Sequence, residues 1–273
     1  GFEKLKDLKS CTGEGCQPLT LSIGIGLDAE NPVVANEYSA SSIDMALGRG
    51  GDQIVVKNSE GFTFYGGNSK EVEKRTKVRS RVIAHALREL MESKDNIVIM
   101  GHRNPDMDFF GSALGLYRAA RTFNKNCYIL IDEVSHSISD VYNIMQNSEE
   151  YRNVVINNAQ AEVLIAENGM LIVSDTHRLA LMPYPELTDM AETVVLIDHH
   201  RKSADFYADA VLTYHETYSS STSELVVEIL QYISENIKLT PTEAKALYAG
   251  ILLDTQNFTF KTGVRTFEAA SYL

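Results

Sequence analysis

The sequence has no tryptophan, only six prolines and three cysteines, and nowhere the run of ~18 apolar residues that a membrane helix needs. Its opening residues, Gly1-Phe2-Glu3-Lys4-Leu5-Lys6, also lack the apolar stretch of a signal peptide. A membrane span and a secretion signal are therefore excluded from these 273 residues. Three is an odd number of cysteines, and Cys11, Cys16 and Cys127 show neither a CxxC pattern nor a histidine at zinc-finger spacing, so they read as reduced thiols. Basic residues are scarce too. Twenty-five against thirty-seven acidic ones leave a net charge of −12, which argues against a broad electrostatic grip on duplex nucleic acid. The chain does not start with methionine and reads as a piece of something longer.

What is present suits a folded protein: 44% hydrophobic residues build a core, and the length suits about one and a half to two domains. The segment to Asn68 carries strand-like runs at Leu19–Ile25, Gln53–Lys57 and Phe62–Tyr65 around a short helix, Ser39–Leu47. Gly24-Ile25-Gly26-Leu27-Asp28-Ala29 fits the glycine fingerprint of dinucleotide-binding loops, but Asn31-Pro32 reads as a break where that fingerprint needs a helix. Arg49-Gly50-Gly51-Asp52-Gln53 reads as a glycine turn. Lys70–Ser93 is expected to form one long amphipathic helix, with Val78, Val82, Ile83, Ala86, Leu87, Leu90 and Met91 on its apolar face. Its first half is basic, a solvated face or a contact for an anionic partner.

From Asn96 onward, short apolar runs alternate with helical patterns. The runs are Ile97–Met100, Tyr128–Ile131, Val154–Ile156, Met170–Val173 and Val194–Ile197; the helices are Phe110–Phe123, Ile138–Gln146, Ala159–Glu167 and Pro185–Met190, followed by Ser219–Ile233 and Pro241–Leu253. Continuous apolar strands joined by helices predict an α/β fold, a parallel sheet with helices on both faces. Chemistry in such folds gathers at the carboxyl ends of the strands. Three of those ends deliver acids and histidines: His102, Asp106 and Asp108 after the first, Asp175 and His177 after the fourth, and Asp198-His199-His200 after the fifth, while Asp254 closes a later helix. Singly, each is what caps and turns use. Together, so many carboxylates repel unless cations join them, and hard oxygens mixed with imidazole suit a pair of Mn²⁺-type ions. His102, Asp106 and Asp108 are read as a loop kept open by Pro105.

His102-x-x-x-Asp106-x-Asp108, Asp175-x-His177, Asp198-His199-His200 and Asp254 together resemble the motifs of the DHH phosphoesterase superfamily. Gly101-His102-Arg103-Asn104-Pro105-Asp106-Met107-Asp108 is similar to the first motif of its GdpP-type cyclic-di-AMP phosphodiesterases. Leu21–Gly26 and Ala46–Gln53 resemble the closing part of their degenerate GGDEF-like domain. The resemblance implies three parts: the end of a GGDEF-like domain (1–69), a linker helix (70–94) and a DHH domain (95–273). It implies two Mn²⁺ per chain, Mg²⁺ or Co²⁺ being substitutes, with His102, Asp106 and Asp175 on one ion and Asp108, Asp175, His199 and Asp254 on the other. His200 would lie near the scissile phosphate, oriented by Asp198, and His177 and Arg178 would touch substrate. Phe109-Phe110 is bulkier than that family leads one to expect.

The implied activity is hydrolysis of cyclic di-AMP to linear pApA. The alternatives are a nanoRNase or phosphatase acting on short linear nucleotides and, in another class, a catalytically idle nucleotide-sensing or dimerising module, so a homodimer stays open. The family also implies upstream membrane helices, a cytoplasmic catalytic part and a DHH-associated substrate domain after Leu273. No Gly-Gly-Gly-His of the kind that domain carries occurs here, so weak activity on the cyclic substrate is expected of this chain alone.

Overall fold

The computed structural model describes residues 21–48, 53–59, 61–66 and 69–273. Cys11, Cys16 and the expected turn at Arg49–Asp52 lie outside them, while Cys127 is a buried free thiol. The described residues fall into two compact units, divided between Val72 and Glu73.

In the smaller unit, β1 (Ile23–Gly26) pairs parallel to β2 (Gln53–Asn58), which pairs antiparallel to β3 (Gly61–Gly66). The helix α1 runs Pro32–Gly48 and begins where the sequence reads as broken. The Asn31 side chain accepts hydrogen bonds from the amides of Val33 and Val34, and proline at the first helical position forfeits only an amide that would have no partner there. The helix therefore exists, and the expected start at Ser39 is corrected. The glycines before it lie inside β1. A Cβ on Gly24 would meet the Ile43 nitrogen and Ser39 carbonyl at 2.4 Å, so this glycine lets α1 press onto the strand.

The long helix α2 (Ser69–Ser93) crosses the division between the two units and from Glu73 onward belongs to the larger one. Its buried face is Ser80, Ile83, Ala84, Leu87 and Met91, whereas Val78 and Val82, expected inside, are 63% and 60% exposed. The i, i+3, i+4, i+7 stripe runs one position away from the valines, with a serine where a hydrophobic residue was sought. Of the basic residues described, Lys77 pairs with Glu268, Arg79 with Glu216, and Arg81 lies over the Tyr232 ring. That part of the basic run is spent within the protein.

A six-stranded sheet follows, all parallel, in the order β6-β5-β4-β7-β8-β9. Its members are β4 (Asn96–Met100), β5 (Asn126–Leu130), β6 (Val155–Ile156), β7 (Gly169–Ser174), β8 (Val194–Asp198) and β9 (Leu212–His215). The last was not foreseen, because Leu-Thr-Tyr-His carries too little apolar character to stand out. Alternation decides which core each strand residue enters. Ile97, Ile99, Met170, Ile172, Val195 and Ile197 face α2, α3 (Met107–Thr122), α7 (Thr222–Ile233) and α8 (Pro241–Asp254). Val98, Met100, Leu171, Val173, Val194 and Leu196 face α5 (Asn158–Ala166) and α6 (Leu187–Met190). The helices α4 (Ser139–Gln146) and α9 (Val264–Tyr272) complete the unit. Among the described residues no helix is long and apolar enough to cross a membrane.

Two close approaches fix α8 against α3. Glu243, fully buried in the first turn of α8, accepts hydrogen bonds from Arg118 at 2.9 and 3.0 Å and from the Tyr151 hydroxyl at 2.9 Å. Near its other end, Gly250 lies so near α3 that an added Cβ would stand 3.0 Å from the Asp108 Cα.

Candidate metal centre

β4, β7 and β8 end side by side, so the residues following them share one edge. Pro105 breaks the chain after β4, and Asp106 then caps α3, its Oδ1 accepting the amides of Asp108 at 2.9 Å and Phe109 at 3.1 Å. Asp108 is thus in the first turn of a helix and not on a loop, a correction that the spacing of a capping aspartate two residues ahead explains. Asp175 leaves β7 in the left-handed region, φ 64°, a conformation costly for most side chains and tolerated by aspartate. The turn is held by its amide, which donates to the Ile197 carbonyl at 2.9 Å.

This places Asp175 between two groups. Its Oδ2 stands 3.4 Å from His102 Nε2, which is 3.8 Å from Asp106. Its Oδ1 stands 3.8 Å from His199 Nε2, which is 3.8 Å from Asp108 and 3.1 Å from Asp254. His102, Asp106 and Asp175 offer donor atoms within 4.8 Å of one another, and so do Asp108, His199 and Asp254. All six expected ligands are brought together, with Asp175 in the middle.

The site is short of positive charge. Burial pushes the carboxyl of Asp108 well up, reinforced by Asp175 and Asp254, and burial likewise raises that of Asp175. Burial disfavours a charged His102, yet Asp106 and Asp175 outweigh it and carry the imidazole up to about 10. His199 rises to about 10 in the same way, burial being overcome by Asp254, Asp108 and Asp175. Protons are held where divalent cations would relieve the same field. One atom is specifically suited to a cation. His199 Nε2, buried and 3.1 Å from an Asp254 oxygen, makes no well-aligned hydrogen bond, while Nδ1 faces the Ser219 carbonyl at 3.4 Å, so a cation that displaces the Nε2 proton would meet its lone pair among the carboxylates. Carboxylates and imidazoles without thiolate fit a hard or borderline divalent ion.

Other residues hold these side chains in place, and nothing in the sequence singles them out. The first turn of α7 points its Thr222 and Ser223 amides at the two oxygens of Asp108, at 2.7 and 2.8 Å, and the Thr222 hydroxyl donates to Asp175 at 2.9 Å. The hydroxyl-rich run Ser219-Ser220-Ser221-Thr222-Ser223 announces a helix start, but nothing in it says which carboxylate the helix meets.

Asp198, fully buried, divides its oxygens between His177 Nδ1 and His200 Nδ1, the latter at 2.8 Å. Burial opposes its charge, but these hydrogen bonds hold the carboxyl below the usual range. His200 is raised in turn, first by Asp198, and its ring is 54% exposed beside Asp175. His177 is placed differently from the expectation of a substrate contact. It is buried, with Nε2 engaged by Ser203 at 2.8 Å, so both ring nitrogens are occupied inside the protein and it braces Asp198. Arg178 pairs with Asp205 at the surface, 3.0 Å away. Phe109 is buried, its ring 6.1 Å from that of His102 and tight against Gly101, so the bulk noted in the sequence backs the His102 ring.

The family model described as "DHH family, N-terminal domain" matches residues 96–251, and that for "Cyclic-di-AMP phosphodiesterase GdpP-like, GGDEF domain" matches residues 1–64. Over its whole length the chain is 45% identical to the cyclic-di-AMP phosphodiesterase PdeA of Listeria monocytogenes and 40% identical to GdpP of Bacillus subtilis, covering 42% of each. It therefore spans about two fifths of these curated relatives. Over 61% of the chain it is 30% identical to the bifunctional oligoribonuclease and PAP phosphatase NrnA of Bacillus subtilis, covering 48% of that protein. The fold is similar to an exopolyphosphatase-related protein from Bacteroides fragilis, with a TM-score of 0.58 at 24% identity, over 70% of this chain and 55% of that one.

Proposed function

The chain belongs to the DHH family, and on that premise we propose that it is the metal-holding catalytic part of a phosphodiesterase that opens cyclic di-AMP to linear pApA. We divide it into the end of a GGDEF-like domain (1–69), a linker helix (70–94) and a DHH domain (95–273). The observation that carries the reading is Asp175, buried with one oxygen toward each of two acid–histidine groups. His102, Asp106 and Asp175 would hold one Mn²⁺, and Asp108, Asp175, His199 and Asp254 a second. Cations bound there supply an acidified water and positive charge against the phosphate.

The chain's own residues do the positioning. Thr222 and Ser223 anchor Asp108 by their amides, and Ser219 sets the ring of His199. Asp198 fixes His200 by Nδ1 and favours its charged form, which leaves the exposed ring to balance phosphate charge and to deliver a proton to the departing ribose oxygen. Chromatography of cyclic di-AMP treated with the full-length protein and Mn²⁺ tests the reading: pApA should accumulate, and Asp175→Ala should abolish it. Cleavage of pApA or short oligonucleotides in preference to the cyclic substrate would favour the linear-nucleotide alternative, and absence of bound metal the idle module.

A further inference from the structure

Beside the metal-ligand candidates, on the side toward β5, opens a cavity of about 290 Å³ that the mechanism does not use. His102 forms one edge, and Phe109, Ile131, Pro183 and Tyr184 give it flat apolar walls. Three loops build it, following β4, β5 and β7. Arg103 ties the first to the third, its amide donating to the Leu181 carbonyl at 2.9 Å and its Nε to the Met182 carbonyl at 3.1 Å. The Tyr184 hydroxyl donates to Asp132 of the second, so the aromatic ring is tethered at the mouth.

The acceptors at the rim point to the occupant. Asp132 and Glu133 border the cavity, and Arg103 directs its Nε to a backbone carbonyl. The two carboxylates of such a lining accept hydrogen bonds from an uncharged donor. A carboxylate has more acceptor sites than the one Tyr184 uses, and Asn104 adds an amide. The volume is near the low end for small-molecule sites, about 300 Å³, enough for one base with its sugar.

We propose that this cavity is a nucleobase subsite, in which a base bearing an exocyclic amine lies against Tyr184 and Pro183 and donates to Asp132 while its phosphate reaches the metal centre. The proposal rests on the phosphodiesterase reading and adds where one half of the dinucleotide is recognised. Sequence gave no hint of it, because its parts come from three separated loops.

The test is calorimetric titration of the full-length, Mn²⁺-loaded protein with AMP and with ribose 5-phosphate, which share sugar and phosphate but not the base. AMP should bind about five- to a hundred-fold more tightly, the range for stacking one base on an aromatic side chain. Tyr184→Ala should bring the ratio close to one, and Tyr184→Phe should keep most of it. Equal, metal-dependent binding of both ligands by the parent, or a ratio unmoved by Tyr184→Ala, overturns the subsite and leaves the phosphodiesterase reading standing. Failure of AMP to bind at all overturns the subsite and counts against that reading as well.

Discussion

Gly250 tests the link between helix packing and the metal centre without replacing a ligand candidate. In Gly250→Ala the new Cβ would stand 2.3 Å from Ser223 Oγ, 2.9 Å from the Met107 carbonyl oxygen and 3.0 Å from the Asp108 Cα. Carbon contacts are comfortable at about 3.5–4.0 Å, so all three are overlaps. Alanine gains about 1 kcal/mol over glycine in a helix interior. Overpacking costs about 1–3 kcal/mol, and two of the contacts here are backbone atoms that cannot turn away, which points to the upper end. The clash wins by about 2 kcal/mol, or a melting temperature lower by about 4–8 °C at this chain length. Ser223 also donates its amide to Asp108 at 2.8 Å, so relief of the overlap displaces a ligand's support. Losing such support typically weakens metal binding about 10–100-fold. Calorimetric melting in EDTA and Mn²⁺ titration measure the two effects separately. A melting temperature at or above the parent's, with unchanged Mn²⁺ affinity, would refute the reasoning.

Asp175→Ala should lose both metal ions and Asp254→Ala only one; elemental analysis showing two ions retained in Asp175→Ala would remove the shared-ligand assignment. His200→Ala should keep its metal and lose about ten- to several-thousand-fold in turnover, whereas His199→Ala should be metal-depleted, so equal metal loss in the two variants would sink their division of labour. The imidazoles of His102 and His199, carried up to about 10 without metal, should release protons when Mn²⁺ binds near neutral pH, and affinity should rise with pH toward 10. Raised pKa values contribute stability below the unfolded value, about 6.5 for histidine, and lose it as pH rises through the folded one, so the metal-free protein should melt lower on the alkaline side of that window. Titration in buffers of different ionisation enthalpy counts the protons; none released would show that the rings are neutral before metal arrives.

The gathering of acids and histidines at the strand ends was legible because β4, β7 and β8 are buried on both faces, so their apolar runs end abruptly where the acids begin. Errors fell where one cue serves two structures. Asn31-Pro32 was read as a break, although asparagine before proline is also a helix start. On α2, Val78 and Val82 lay beside the true stripe, which includes the buried Ser80 bonded at 2.8 Å to the Tyr214 hydroxyl. The supports of the ligands stayed hidden for another reason. Thr222 and Ser223 act on Asp108 through backbone amides, which every residue but proline has, and their place depends on where a whole helix docks.

The sheet order also shapes how the protein reaches its folded state. No neighbouring pair in the six-stranded sheet is a local hairpin, and β4 finds β7 only after the chain between them has been laid aside. Closing such long loops comes before any reward from pairing, which places this unit among slow-folding topologies. The ligand candidates run from His102 in the first strand-end motif to Asp254 at the end of α8, so no early fragment contains a complete pair of sites. A nascent chain therefore emerges without a preformed trap for divalent ions. On the two-ion proposal, capture of the second ion would wait for α8 to dock, and metal uptake would read out finished folding.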